Sequence, residues 1–176
     1  VWITPARLIP IQIVNHHDKI HHLHHIIHPD HQSPGGAGHR CRPNNSDGSD
    51  IRIGKLDNGL TYYIRHSENP KNRGEFYIVH NVGAMQEEDN QNGLAHFLEH
   101  MAFNGTKSFK EGIPHFLKRR GVTQFNAQTG QDETVYYMTG VATADTGLVD
   151  SCLLVMKDWS GFLLLDPVEI GQGARR

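Results

Sequence analysis

Two histidines and a glutamate within five residues, His96-Phe97-Leu98-Glu99-His100, have the types and spacing of a metal-dependent hydrolytic site. On a helix, side chains four apart project the same way, so both imidazoles reach one ion such as Zn2+. Glu99 lies three residues after His96 and points toward the same spot. A carboxylate there, not spent as a ligand, takes a proton from a water that the metal holds, which makes Glu99 the candidate catalytic base.

The element that must present these groups is a helix. Leu94, Phe97, Leu98 and Met101 recur at helical spacing and make one apolar face, and His96, Glu99, His100 and Phe103 make the neighbouring one. Asn92 is the expected N-cap, behind the acidic run Glu87-Glu88-Asp89 that suits the positive end of a helix dipole. Gly105 follows Asn104 where a left-handed C-terminal cap belongs. A His pair at this spacing on an arbitrary helix is more often surface decoration, and the chain holds 14 His. Nine of those precede residue 51, so the density around the motif is ordinary. The coincident Glu and the caps favour the metal site.

Around that helix the chain alternates strand and helix signals. Asn58-Gly59 marks a hairpin joining Ile51–Lys55 to Leu60–Arg65. From Glu75 to Val82, Phe76, Ile78, His80 and Val82 fall on one side, and Tyr77 and Val79 on the other. His80 reads as a strand residue near the motif and not as a third ligand. Ser108-x-x-Glu111 suggests a capping box for a second helix with Ile113, Phe116 and Leu117, closed by Lys118-Arg119-Arg120-Gly121. His115 has no partner spacing with the motif. Thr123 to Thr129 and Thr134 to Val141 read as a strand pair across Gly130-Gln131-Asp132. A third helix begins near Thr143 to Asp145, its buried stripe being Leu148, Cys152, Val155, Met156, Trp159, Phe162 and Leu163. The expected fold class is α+β, an antiparallel-type sheet with helices packed on one face.

Composition narrows the function classes. The 176 residues suffice for one good core. A net charge of -2 gives no electrostatic case for a nucleic-acid partner. No apolar run reaches transmembrane length. Cys41 and Cys152 lie in dissimilar settings and suggest no disulfide framework. Residues 1–50 carry the nine early His and then a Pro/Gly/Asn/Ser/Asp-rich stretch from Ser33 to Asp50, without periodicity. They read as a disordered or non-native extension, with a metal-chelating tract as the competing reading. The first residue is Val, so the chain is expected to be a fragment of an open reading frame, and residues 8–14 fail as a signal peptide.

The motif is the His-Glu-x-x-His zinc helix with its order reversed, the inverzincin arrangement. Gly93 to Phe109, reading GLAHFLEHMAFNGTKSF, resembles the pitrilysin/insulinase family of zinc metallopeptidases, as do Asn126-Ala127-Gln128-Thr129 and Asp132-Glu133-Thr134-Val135-Tyr136. The similarity runs from about Ile51 to Ile170 and is greatest to the N-terminal domain of large bacterial members. It implies an incomplete metallopeptidase N-terminal domain over residues 51–176 and, as the reaction, peptide-bond hydrolysis at one zinc ion held by His96 and His100 with Glu99 as base. It further implies that a peptide or protein substrate binds in extended form along a sheet edge, with Asn126 and Ala127 in contact, and that a second clamshell half closes around it. The location is left unassigned: resemblance to the large bacterial members is compatible with the periplasm or envelope, but there is no recognisable signal peptide.

The family's third ligand is a Glu on a later helix, in a segment reading about Asp-Lys-Glu-Arg-Gly. Leu165 to Ile170 leads into that segment, after which the chain departs into Gly171 to Arg176; Glu169 belongs to the variable residues before it. One choice of codons for Gly171 to Arg176, read one base later, spells the missing five residues, so a reading-frame slip is expected there. With two His the chain is expected to bind zinc weakly and to cleave peptides poorly or not at all. The alternative is a non-catalytic scaffold or partner subunit of the same family.

Overall fold

Six strands form one sheet in the computed structural model, which describes residues 8–13, 51–168 and 170. The strands are β1 (Leu8–Ile13), β2 (Ile51–Lys55), β3 (Thr61–Arg65), β4 (Arg73–His80), β5 (Gln124–Thr129) and β6 (Thr134–Ala142). Their order is β2-β3-β1-β4-β6-β5, with β1 parallel to β3 and every other pairing antiparallel.

The expected hairpin forms, with Asp57-Asn58 at the centre of the turn and Gly59 as the left-handed residue that follows it. Lys55 lies opposite Thr61, Gly59 takes φ +91°, and Asn58 Oδ1 accepts the Leu60 N–H at 3.1 Å. The second expected hairpin also forms, with Thr129 opposite Thr134 and the Gly130 N–H bonded to the Glu133 carbonyl at 2.7 Å.

Strand β1 has no counterpart in the sequence reading. Its short run carries β-branched Ile9, Ile11 and Ile13, residue types that favour strands, but Pro10 interrupts the pattern. The β1–β4 register shifts between Leu8 and Ile11, the interval in which Pro10 has no N–H to give the ladder. The extension expected over residues 1–50 therefore contains this strand. The rest of it, including Cys41 and the His-rich tract, lies outside the described residues.

Among the described residues, helices α1 (Leu94–Met101), α2 (Ile113–Arg119) and α3 (Thr146–Trp159) pack on one face of the sheet, in agreement with the α+β expectation. Phe76, Ile78, Ala127, Tyr136 and Met138 from the strands meet Ala102, Ile113, Leu117, Leu148, Cys152 and Trp159 in one core. Trp159 stacks on Tyr136 at 5.4 Å between ring centroids and meets Phe103 edge-on at 6.0 Å. The opposite face carries a smaller cluster, Val79 and Val135 with Tyr77 and Tyr137. The alternation expected along β4 holds, with Phe76 and Ile78 on the helix side and Tyr77 and Val79 on the other.

Helix α3 starts as expected, with Asp145 Oδ1 accepting the Leu148 N–H at 3.0 Å. Cys152 is buried on its inner face, where burial pushes the thiol pKa up to about 11, so it is a packing residue and no nucleophile. Phe162 and Leu163 lie past the helix end. The Ser108 capping box does not form. Gly112 precedes α2, and Ser108 instead gives its N–H and hydroxyl to Asp158 at 2.7 and 3.2 Å. A buried carboxylate from the third helix takes the Ser108 N–H that the box would have given to Glu111, and turns the hydroxyl from acceptor to donor.

Candidate metal centre

Helix α1 exists where the motif predicts it, but different groups hold it. Asn92 does not cap it. Gly93, at φ +86°, turns the chain into the helix, and the Glu87 carboxylate accepts the N–H groups of Gly93 and Ala95, each at 2.7 Å. An anion placed on free N–H groups at a helix N-terminus satisfies them and faces the positive dipole end. The acidic run anticipated in sequence therefore supplies the cap through one specific residue.

Glu87 is placed by a loop docked on the β5–β6 turn. Ala84 and Met85 donate backbone N–H groups to the Gly130 and Gln131 carbonyls at 3.1 and 2.7 Å. A Cβ on Gly83 would sit 2.5 Å from the Gly130 carbonyl oxygen, so this approach requires glycine.

At the other end Gly105 is not the left-handed cap. The helix runs into Ala102 in right-handed geometry, and Gly105 is instead a close-packing position. A Cβ there would lie 3.1 Å from the Lys110 carbonyl oxygen. The exit is held from α3: Trp159 Nε1 donates to the Ala102 carbonyl at 3.0 Å, and Asp158 accepts the Thr106 hydroxyl at 2.8 Å. Asp158 and Trp159 are both buried, and their role in fixing the exit was not visible from spacing alone.

The face of α1 turned to the sheet also differs from the expected one. Ala95, Glu99, Met101 and Ala102 are buried, while Leu94 is exposed. Glu99 is only 7% exposed, and its Oε2 accepts the Thr129 hydroxyl at 2.7 Å. His96 and His100 stand on the outer side, both exposed, with their Nε2 atoms 3.0 Å apart and ring centroids at 4.6 Å.

Two nitrogens each about 2.1 Å from a tetrahedral zinc lie ~3.4 Å apart, so this pair fits an edge of that coordination with little adjustment. Charge suits a cation as well. No Lys or Arg occurs between Arg73 and Lys107 or between Arg120 and Lys157, the two segments that build this end of the sheet. Among the described residues no third His, Cys, Asp or Glu joins the pair. Glu169 lies outside the described residues. The helix leading to it opens at Pro167, where Asp166 Oδ1 accepts the Val168 N–H at 2.8 Å.

His80 stays apart from the pair. It ends β4 beside Tyr136, with ring centroids 5.5 Å apart, and burial lowers its pKa to about 4. Its Nε2 is buried without a hydrogen-bond partner among the described residues. Tyr136 enters the sequence reading only as the end of the Asp132–Tyr136 stretch, without a role of its own. Burial, with the Glu99 carboxylate nearby, raises the pKa of its phenol. His115 is exposed and lies 3.3 Å from Glu111, remote in role from the motif.

Asn126 and Ala127 lie on β5, the last strand in the sheet order. They face opposite ways. Ala127 is buried on the helix side opposite Tyr136, and Asn126 is exposed, opposite Tyr137 on the other face. The Gly130–Glu133 bond fixes the antiparallel alternation, which turns the main-chain groups of Phe125, Ala127 and Thr129 away from β6. The strand edge beside Glu99 thus offers backbone donors and acceptors.

Residues 63–174 match the family described as insulinase, peptidase family M16. The probable zinc protease PqqL of Haemophilus influenzae is 43% identical over 134 residues, 73% of this chain and 14% of that protein. The probable zinc protease PqqL of Escherichia coli is 36% identical over 121 residues, 66% of this chain and 13% of that protein. The crystal structure of the periplasmic protease PqqL from Escherichia coli superposes with a TM-score of 0.63 at 33% identity, covering 68% of this chain and 14% of that one. The chain thus spans about one seventh of the length of these relatives. With its family match extending over most of its length, the chain belongs to the insulinase family of peptidases, peptidase family M16.

Proposed function

We propose that this chain is the portion of a zinc metalloendopeptidase that supplies two metal ligands, His96 and His100, and the general base, Glu99. The observation that carries this is the pair of exposed imidazole nitrogens 3.0 Å apart, with a carboxylate one residue away tied to β5, the edge strand among the described residues. When bound, zinc supplies Lewis acidity toward a peptide carbonyl and toward water. Glu99 takes the proton of the attacking water and hands it to the leaving nitrogen. The outward main-chain groups of β5 hold the substrate as an added strand, with Ala127 at its centre and exposed Asn126 beside it. Family kinship supports a third ligand, a Glu on a later helix. Similarity to a periplasmic protease supports a periplasmic location.

Two ligands rather than three among the described residues favour a second reading, a non-catalytic scaffold or partner subunit of the same family. One experiment separates the two. The chain alone is expected to bind zinc weakly and to turn over peptides poorly. Extended by a helix carrying the family's Glu, it should bind zinc more tightly and hydrolyse an unstructured peptide, and Glu99→Gln should then abolish turnover while retaining zinc. A zinc-loaded extended chain that leaves peptides intact would support the scaffold.

A further inference from the structure

We propose that Thr129 is a positioning residue for Glu99, its hydroxyl fixing the carboxylate from the strand edge that receives substrate. The inference rests on the peptidase reading above. Glu99 is nearly buried, so its carboxylate requires hydrogen-bonding partners within the protein. The Thr129 bond, at 2.7 Å, has the length of a charge-assisted hydroxyl–carboxylate bond. A free glutamate side chain samples several rotamers, and a short bond to a fixed donor selects one.

The donor is fixed. Thr129 is β-branched, with restricted χ1, and ends β5 opposite Thr134. Thr134 itself gives its hydroxyl to the Val82 carbonyl at 2.7 Å. The turn that follows is clamped by the N–H groups of Ala84 and Met85. A support locked in this way holds a reacting group more closely than a loop would. Thr129 also turns its main-chain groups away from β6, to the edge of the sheet among the described residues, so one residue touches both the base and the proposed track for the peptide.

The test uses the metal-free 176-residue chain with Thr129→Val and Thr129→Ser. Valine keeps the shape and strand preference and removes only the hydroxyl; serine keeps the hydroxyl. Side-chain scalar couplings and the isotope-edited carboxylate stretch of Glu99 are read, with backbone amide spectra reporting the fold. Wild type should show one Glu99 rotamer. T129V should keep the fold, lose that single rotamer and shift the stretch, and T129S should restore both. A single unchanged rotamer in T129V, or its loss in both variants, overturns the proposal. Failure of the peptidase reading shows separately, as His96 and His100 resonances that zinc leaves unmoved.

Discussion

Glu87 reaches forward to Ala95: one carboxylate oxygen accepts the Ala95 N–H at 2.7 Å while the other accepts that of Gly93 at the same distance. The base of the candidate centre thus sits on a helix whose start is fixed by a residue outside the motif. Glu87→Ala frees both N–H groups and is expected to cost about 1 to 2 kcal/mol. Glu87→Gln keeps one acceptor and should cost less. Chemical denaturation of the three proteins checks the ranking, and equal midpoints would show that the cap contributes nothing.

The helix exit depends on Asp158. Its carboxylate takes two hydrogen bonds from Ser108 and one from Thr106, and its side chain is fully buried. Asp158→Ala leaves these donors without a partner and should destabilise the fold by about 3 kcal/mol. Trp159→Phe loses the bond to Ala102 and a small part of the ring packing, so about 1 to 2 kcal/mol is expected. A reversed order of these two effects would show that ring packing, and not the carboxylate, fixes the exit.

The hairpins and the zinc-type helix were legible because each depends on local signals: Asn-Gly, the Gly130 turn and the His–Glu–His spacing. What sequence missed is non-local. Asp158 lies 50 residues from Ser108 and takes the backbone N–H that a local capping box would have used. Glu87 and not Asn92 caps the helix because docking of residues 84 and 85 on the β5–β6 turn brings the carboxylate back. The buried face of α1 departs from its hydrophobic periodicity for a chemical reason. Hydrophobicity favoured Leu94, whereas small Ala95 and Ala102 allow close approach to the sheet and Glu99 finds Thr129 there. Tyr136 is legible as part of the Asp132–Tyr136 stretch, but its place beside Glu99 depends on the packing of α1 on β6.

Acid should weaken the fold through His80. Its folded pKa is about 4 because burial disfavours the charged ring, against about 6.5 when unfolded. Between those values the unfolded chain binds more protons, so stability is full above pH 6.5 and falls as pH drops toward 4. His80→Leu removes this contribution. The stability difference between variant and wild type should therefore change across that window and level off below it. A difference constant from pH 7 to 4 would contradict the buried neutral ring.

Zinc titration followed in site-resolved histidine 1H–15N spectra tests the central claim, that His96 and His100 share one ion with Glu99 outside its coordination. Both Nε2 resonances should move together as zinc is added, and the same shifts should appear in Glu99→Gln. Resonances that stay in place, or a response that Glu99→Gln abolishes, would contradict the assignment of these three residues.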